Sequence, residues 1–539
     1  MKINVNIASL IMFFSIHMQA QNTYDLVYDI FQTNCTYSTC HNGGMLDLKG
    51  SGASAKSDVW SNLYNMNPTN SFAASKGYKL IYPGDPYKSM LFRKINHGMD
   101  EVISLDANEG AHMPPQALKD REKELIRQWI LFNSPKTGIV VDTGLIGQYY
   151  DGMGTDGIDE RPDPPAEGEG FQIKVGPFFL YANDEKEYFY KFHIDNEDTL
   201  EVNELFSDLG QIYSHHLIVF RFLAGEETIS EGLRYDNAHY NVDMVTAHQQ
   251  TENVALPFGT SFQWLPETVL DLNTHYVNYS STILKCENYI NIYTQPKHTA
   301  LHHMQTGLYI DPSIYIPNDG IDHTFTQEEY ENTPGDMYVW SMISHTHKWG
   351  KDYDIWHRNS DGSNGDKVYD ASNMGGDPNG VSIGYDYQHP PTKRWDYPFL
   401  RVPLSEGLIH EAVFNNTGTV PVSWGPSSDD EMMIMGLMFL NDTTGLGNTA
   451  LGIKENKSGA SVSLYPNPNK GLFHLKVNKR LKDGLFRLID LTGRSLWEVR
   501  INSTITEMQT PSVLEGGIYF YLLEENGRPI DKGKVLIQE

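Results

Sequence analysis

Three groups of residues in this chain have the types and spacing to hold metal or haem. In Ser341–Gly350, SMISHTHKWG, His345 and His347 are separated by one residue on an apolar run of strand character. Side chains at i and i+2 of a strand leave the same face, so the two imidazoles can share one ion, and imidazole suits copper, zinc or iron. The plainer alternative is a pair of histidines satisfied by hydrogen bonds. A second group lies upstream, with His215 and His216 adjacent at the start of one strand-like run and His275 inside another, NTHYVNY. Neighbouring strand residues point opposite ways, so His215 and His216 reach one ion only if a bulge or bend re-aims one of them. The third group is Cys35, Cys40 and His41, two thiols followed directly by an imidazole. That set reads as covalent haem attachment, the cysteines bonding the porphyrin and His41 ligating iron. A zinc site would need a fourth ligand, and none stands at suitable spacing.

The elements that must position these groups are short apolar or alternating runs such as EYFYKFHI, HHLIVFRF, NYINIYT, MYVWSMIS and MMIMGLMFL, with turn signals between them. Such spacing predicts β-sandwiches. A length of 539 residues calls for several domains, and 40% hydrophobic with 20% charged residues is the composition of a globular protein. Mean hydropathy of -0.44 excludes a polytopic membrane protein. A net charge of -28 would repel a phosphate backbone, so nucleic acid is excluded as a partner. Residues 1–20 carry an early lysine, an apolar run from Ile7 to Ile16 and a small residue at Ala20, the pattern of a cleaved secretory signal. No membrane-spanning segment is expected after its removal. Three cysteines in an exported chain, two of them five positions apart, do not make a disulfide scaffold, and Cys286 reads as a buried apolar residue.

Residues 21–135 combine the Cys35, Cys40 and His41 motif with YPGDPYKSMLFRKI and AHMPPQALKDREKELIRQWI. This region resembles the class I cytochrome c-like domains fused to bacterial secreted enzymes, although four residues rather than two separate the cysteines. The resemblance implies one c-type haem with Met113, before Pro114 and Pro115, as distal ligand; Met99 and His112 compete for that role. Residues 136–170, rich in Pro, Gly and acid, read as a linker.

His215, His216, His275, His345, His347 and Met432 in DDEMMIM occur in strand-like motifs whose order resembles that of the copper type II, ascorbate-dependent monooxygenases, the family of peptidylglycine hydroxylating and dopamine β-monooxygenases. Carried over, the resemblance implies a three-histidine copper at His215, His216 and His275 that passes electrons. It implies a second copper at His345, His347 and Met432 that meets dioxygen and hydroxylates a small-molecule or peptide substrate. It further implies two copper subdomains, 171–300 and 301–442, facing each other across a wet cleft, and a reductant such as ascorbate. Ile343, Ile434 and Gly436 stand where the peptide-amidating branch holds its substrate carboxylate, which argues against peptide amidation here. The remaining histidines, His193, His248, His357, His389 and His410, are given no role, and His302 and His303 read as surface residues of a loop.

Residues 443–460 read as a second linker. Residues 461–539 show strands separated by turns such as YPNP and NG, and resemble the C-terminal sorting domain of type IX secretion, which implies a surface or secreted protein recognised by that machinery. The expected architecture is mostly β: a small helical cytochrome c-like domain, two copper sandwiches and a small β-sandwich tail. The expected activity is hydroxylation of a C–H bond, with electrons relayed from the tethered haem. The competing reading is a haem and copper electron-transfer or copper-binding surface protein. A third is a surface adhesin with structural zinc.

Overall fold

A computed structural model describes residues 21–446 and 462–537 apart from short stretches, the longest being 236–241 and 374–383. The expected signal at 1–20, most of the linker at 443–460 and His389 lie outside the described residues. The chain forms two compact units, divided between Leu446 and Gly447. It is mostly β, as expected.

The first unit opens with helices at Thr23–Asn34, Ala55–Leu63, Ser71–Ser75, Met90–Ile95 and Asp120–Leu131. The last begins where Glu122 Oε2 reaches back to accept the Lys119 amide at 3.0 Å, which settles one of the donors a helix start leaves without an intrahelical acceptor. Its Ile126, Trp129 and Ile130 form one stripe against Tyr24, Val27 and Phe31 of the first helix, and Trp129 stacks on Tyr24 at 5.3 Å.

The stretch 136–170 is not the linker its composition suggested. Asp142 caps a further helix, Thr143–Gln148, by accepting the amides of Gly144 at 2.8 Å and Leu145 at 3.2 Å. Val141, Leu145 and Ile146 complete the helical core, and Gly154–Asp156 then pairs in parallel with Ile283–Lys285. Four apolar side chains, Ile158 included, are buried here, enough to outweigh the Pro and Gly content that follows.

Ions buried at the junction hold the helical module to the first sandwich. Arg127 lies 2.6 Å from Asp100, which is 3.0 Å from Lys174, which is 2.6 Å from Glu287. All four are buried. Burial alone would raise the Asp100 carboxyl, but Lys174 and Arg127 hold it well below the carboxylate range. Such a network repays its desolvation only while complete.

The first sandwich pairs a seven-stranded sheet with a five-stranded one. Strand Ile283–Gln295 runs through the larger sheet, and its first ten residues are almost uninterruptedly buried, without alternation, because the helical module covers one face and the second sheet the other. The smaller sheet orders Gly232–Arg234, Glu185–His193, Val269–Val277, Ser214–Phe222 and Val242–His248. The second sandwich sets a five-stranded sheet, with Gln305–Ile310, Ile434–Leu440 and Asp336–His345 in order, against a four-stranded one. His302 and His303, expected in a loop, form a short strand parallel to Thr260 and Ser261.

The two sandwiches touch through an apolar plug. Phe189, Phe220 and Met244 of the first pack with Ile218, Leu308 and Ile343. A Cβ on Gly436 would lie 2.6 Å from Met244 Cε and 2.8 Å from an Ile343 methyl, so a larger residue here would have to displace Met244 or Ile343. Ile343 and Gly436, register partners on neighbouring strands of the second sandwich, lie at this contact.

The second unit is a separate sandwich of three- and four-stranded sheets. Its core is built on Phe473, Leu475, Phe486, Leu488 and Leu523.

Candidate metal centres

Period-2 alternation carries one histidine of each group, His345 and His216, to the rim of the plug; His347, expected on the same strand face as His345, lies beyond the strand end. On Asp336–His345, Ile343 enters the plug and His345 follows two residues on, on the same face. On Ser214–Phe222, Ile218 enters and His216 precedes it by two, and on Glu185–His193 Phe189 enters and Glu187 precedes it by two.

The bulge that the adjacent histidines require is present. His275 pairs with His216, but Tyr276 pairs with Ser214, so His215 is the extra residue of a β-bulge. The re-aimed ring comes to 5.1 Å from His275, and His216 to 5.0 Å from it, centroid to centroid. Each imidazole is oriented by a neighbour: His215 Nε2 by Tyr279 hydroxyl at 2.8 Å, His216 Nε2 by Asn273 Oδ1 at 2.7 Å, His275 Nε2 by Glu185 at 2.7 Å. Such partners fix ring orientation around a metal. Asn273 in turn donates to Glu187 Oε1 at 2.9 Å. Its hydrogen bond with His275, above all, holds the Glu185 carboxyl below its ordinary value. Burial works to raise Glu187, yet contact with His216 and the proximity of His275 bring it down to about 2.

In the second group the rings of His345 and His347 stand 5.2 Å apart, nearly perpendicular at 86°. Burial pushes His345 down to about 3, His347, His216 and His275 act in the same direction, and Glu187 opposes them. Burial lowers His347 as well, against the Asp430 carbonyl. That His216, His275 and Glu187 act on His345 follows from the two groups flanking one plug. Both imidazoles are neutral near pH 7, the form that ligates.

Glu431 joins the H-x-H turn to the methionine strand. Fully buried, it accepts the amides of His347 at 2.8 Å, Trp349 at 2.7 Å and Met432 at 3.1 Å. His347 Nδ1 also donates to the Asp430 carbonyl at 3.0 Å, which leaves Nε2 as the ligating nitrogen. The backbones of His347 and Met432 are thus tied to one carboxylate.

At the haem motif, Cys35 ends the first helix with its amide bonded to Phe31, and the His41 amide returns to the Cys35 carbonyl at 3.0 Å. His41 Nδ1 donates to the Leu46 carbonyl at 3.2 Å, which orients Nε2 for an iron. Burial, chiefly, and Cys40 raise the Cys35 thiol to about 11. These residues fit the attachment side of a c-type haem. Of the distal candidates, Met99 packs on the helical core with its sulfur 3.8 Å from Tyr150 hydroxyl. His112 stacks on His97 at 4.5 Å, and Met113 is exposed at a cis bond to Pro114.

Glu185, Glu187, Asn273 and Tyr279 were not singled out from the sequence. The signal for the first two was present, two acids alternating in EKEYFYKF, but only strand register shows that they face histidines.

Residues 463–538 match the secretion system C-terminal sorting domain family. No curated protein matches the chain. Among solved structures, PorZ of the type IX secretion system of Porphyromonas gingivalis is similar at 16% identity over 19% of this chain and 14% of that one, with a TM-score of 0.14. The STIV MCP follows at 9% identity over 51% and 97%, TM-score 0.26. A Ruminococcus gnavus β-glucuronidase follows at 11% over 42% and 35%, TM-score 0.12. Among the described residues no helix is long and apolar enough to cross a membrane. The chain ends in a type IX secretion sorting domain, which makes it a secreted or cell-surface protein and a client of that machinery.

Proposed function

We propose that the first unit is a copper-dependent monooxygenase that hydroxylates a C–H bond of a small-molecule or peptide substrate. The observation that carries this reading is the pair of histidine groups on facing sheets, the first drawn together by a β-bulge at His215. The reaction inserts one oxygen atom of dioxygen into the C–H bond and reduces the other to water, consuming two electrons and two protons. Copper, when bound, would supply the one-electron redox chemistry. His215, His216 and His275 would hold one ion, with Tyr279, Asn273 and Glu185 orienting their rings. His345 and His347, with Met432 as a soft thioether that favours Cu(I), would hold the other. Glu431 keeps that turn and strand in register, and the apolar plug lies against one side of the site. A c-type haem on Cys35, Cys40 and His41 would feed electrons to the first group, with ascorbate or another small reductant as an alternative donor.

The experiment is labelled-oxygen incorporation from ¹⁸O₂ by copper-loaded full-length protein, with ascorbate, across a panel of small-molecule and peptide substrates. Labelled product from the wild type, lost in Met432→Ile while one copper per chain remains, is the expected result. Label at the wild-type rate in Met432→Ile, or copper redox cycling with no label in any product, overturns the assignment. The second outcome leaves a haem and copper electron carrier.

A further inference from the structure

We propose that Glu187 is a metal ligand in the first histidine group, so that this site offers an ion a carboxylate together with imidazoles. The inference rests on reading that group as a metal centre.

Three strands lie side by side here, and His275, on the middle one, is the register partner of Glu187 on one side and of His216 on the other. One row across the sheet therefore reads Glu187, His275, His216. All three point toward the same face, the one bearing the plug. Their ligand atoms lie within 4.8 Å of one another. Ligands bound about 2 Å from one ion stand no more than about 4 Å apart, so closure requires movement of only about 1 Å. Glu185, the other acid of the strand, differs: it sits one row nearer the strand end, is half exposed, and contacts His275 alone.

A carboxylate is a hard oxygen donor. It favours Cu(II) or zinc, whereas a set made of imidazoles alone tolerates both copper states. The site should therefore hold oxidised copper more tightly than reduced copper, and Glu187 should be responsible for the difference. If Glu187 acts only by supporting Asn273, which orients His216, it will affect geometry without entering the coordination sphere.

The test uses the full chain carrying His345→Ala and His347→Ala, so that only the first group is read, with and without Glu187→Gln or Asn273→Ala. Cu(II) and Cu(I) affinities are measured by chelator competition, and the Cu(II) EPR spectrum is recorded. Expected for Glu187→Gln is about tenfold or greater loss of Cu(II) affinity, Cu(I) affinity within about twofold, and an altered parallel hyperfine splitting. Asn273→Ala should keep the EPR signature. An unchanged spectrum and affinity in Glu187→Gln, or identical effects of Glu187→Gln and Asn273→Ala, overturn the ligand role while the metal centre stands. Failure of the His345/His347 double variant to bind Cu(II) at all overturns the metal centre itself, and the ligand role with it.

Discussion

Replacing Glu431 separates its two roles, acceptor and buried charge. Glu431→Ala leaves the amides of His347, Trp349 and Met432 without their acceptor. At about 2 kcal/mol for each buried unpaired donor, the loss is about 6 kcal/mol. The carboxylate also carries a cost: burial, outweighing the three amides, raises it from 4.5 to about 7. A folded value above the unfolded one means that ionisation disfavours the fold, a cost absent below about pH 4.5 and complete above about pH 7. At 1.36 kcal/mol per pH unit it amounts to about 3 kcal/mol. Above pH 7 the net loss in Glu431→Ala is therefore about 3 kcal/mol. Glu431→Gln removes the charge and one of the two acceptor oxygens; with the remaining oxygen in the place of Oε2 it keeps the His347 and Met432 bonds and loses the one to Trp349, and should come out close to neutral. The assay is amide hydrogen exchange at pH 8, followed by mass spectrometry on peptides covering 344–350. Protection in Glu431→Ala should fall by about two orders of magnitude, with Glu431→Gln within about threefold of wild type. Equal protection in Glu431→Ala and wild type would refute the bridging role. Equal damage in both variants would refute the separation of charge from acceptor.

Two further outcomes follow from the same geometry. Gly436→Val places side-chain atoms into Met244 and Ile343; overpacking should cost about 1–3 kcal/mol and lower the melting temperature of the first unit by calorimetry, whereas an unchanged melting temperature would mean the sandwiches are not in contact there. His410 is fully buried, with Nδ1 2.6 Å from Tyr353 hydroxyl, and burial, opposed by Asp311, lowers it from 6.5 to about 4. Its contribution is present above pH 6.5 and lost as pH falls towards 4, about 3 kcal/mol in all, so His410→Gln should flatten the urea-stability profile between those values.

Much of the strand content was legible because alternation is local: HHLIVFRF and MYVWSMIS show their faces in the order of their residues. The need for a bulge at His215 was legible too, since two adjacent side chains cannot otherwise share a face. What escaped depends on register. Glu187 meets His216 only because Val269–Val277 lies between their strands, and no short window of sequence contains that adjacency. The stretch 136–170 misled for a different reason. Its acid, Pro and Gly dominate the composition, while the burial is done by Val141, Leu145, Ile146 and Ile158, spaced too widely to register as a core. Gly436, read as a departure from a substrate-binding position, proved to be a contact point between sheets.

The ion network of Asp100, Arg127, Lys174 and Glu287 changes how any exchange between the Cys35–His41 loop and the histidine sheet would behave. A carrier on a flexible tether finds its acceptor by diffusive search, at an effective concentration set by tether length. Here the intervening segment is helix, strand and buried side chain, so the separation is a constant of the fold. Transfer between the two would be independent of solvent viscosity and protein concentration, and little affected by the ionic strength that governs encounters between separate partners. Cutting the chain within 136–170 would not by itself free a domain, because the packing of Leu145 and Ile146 and the pair of Asp100 with Lys174 hold the two parts together without the covalent link.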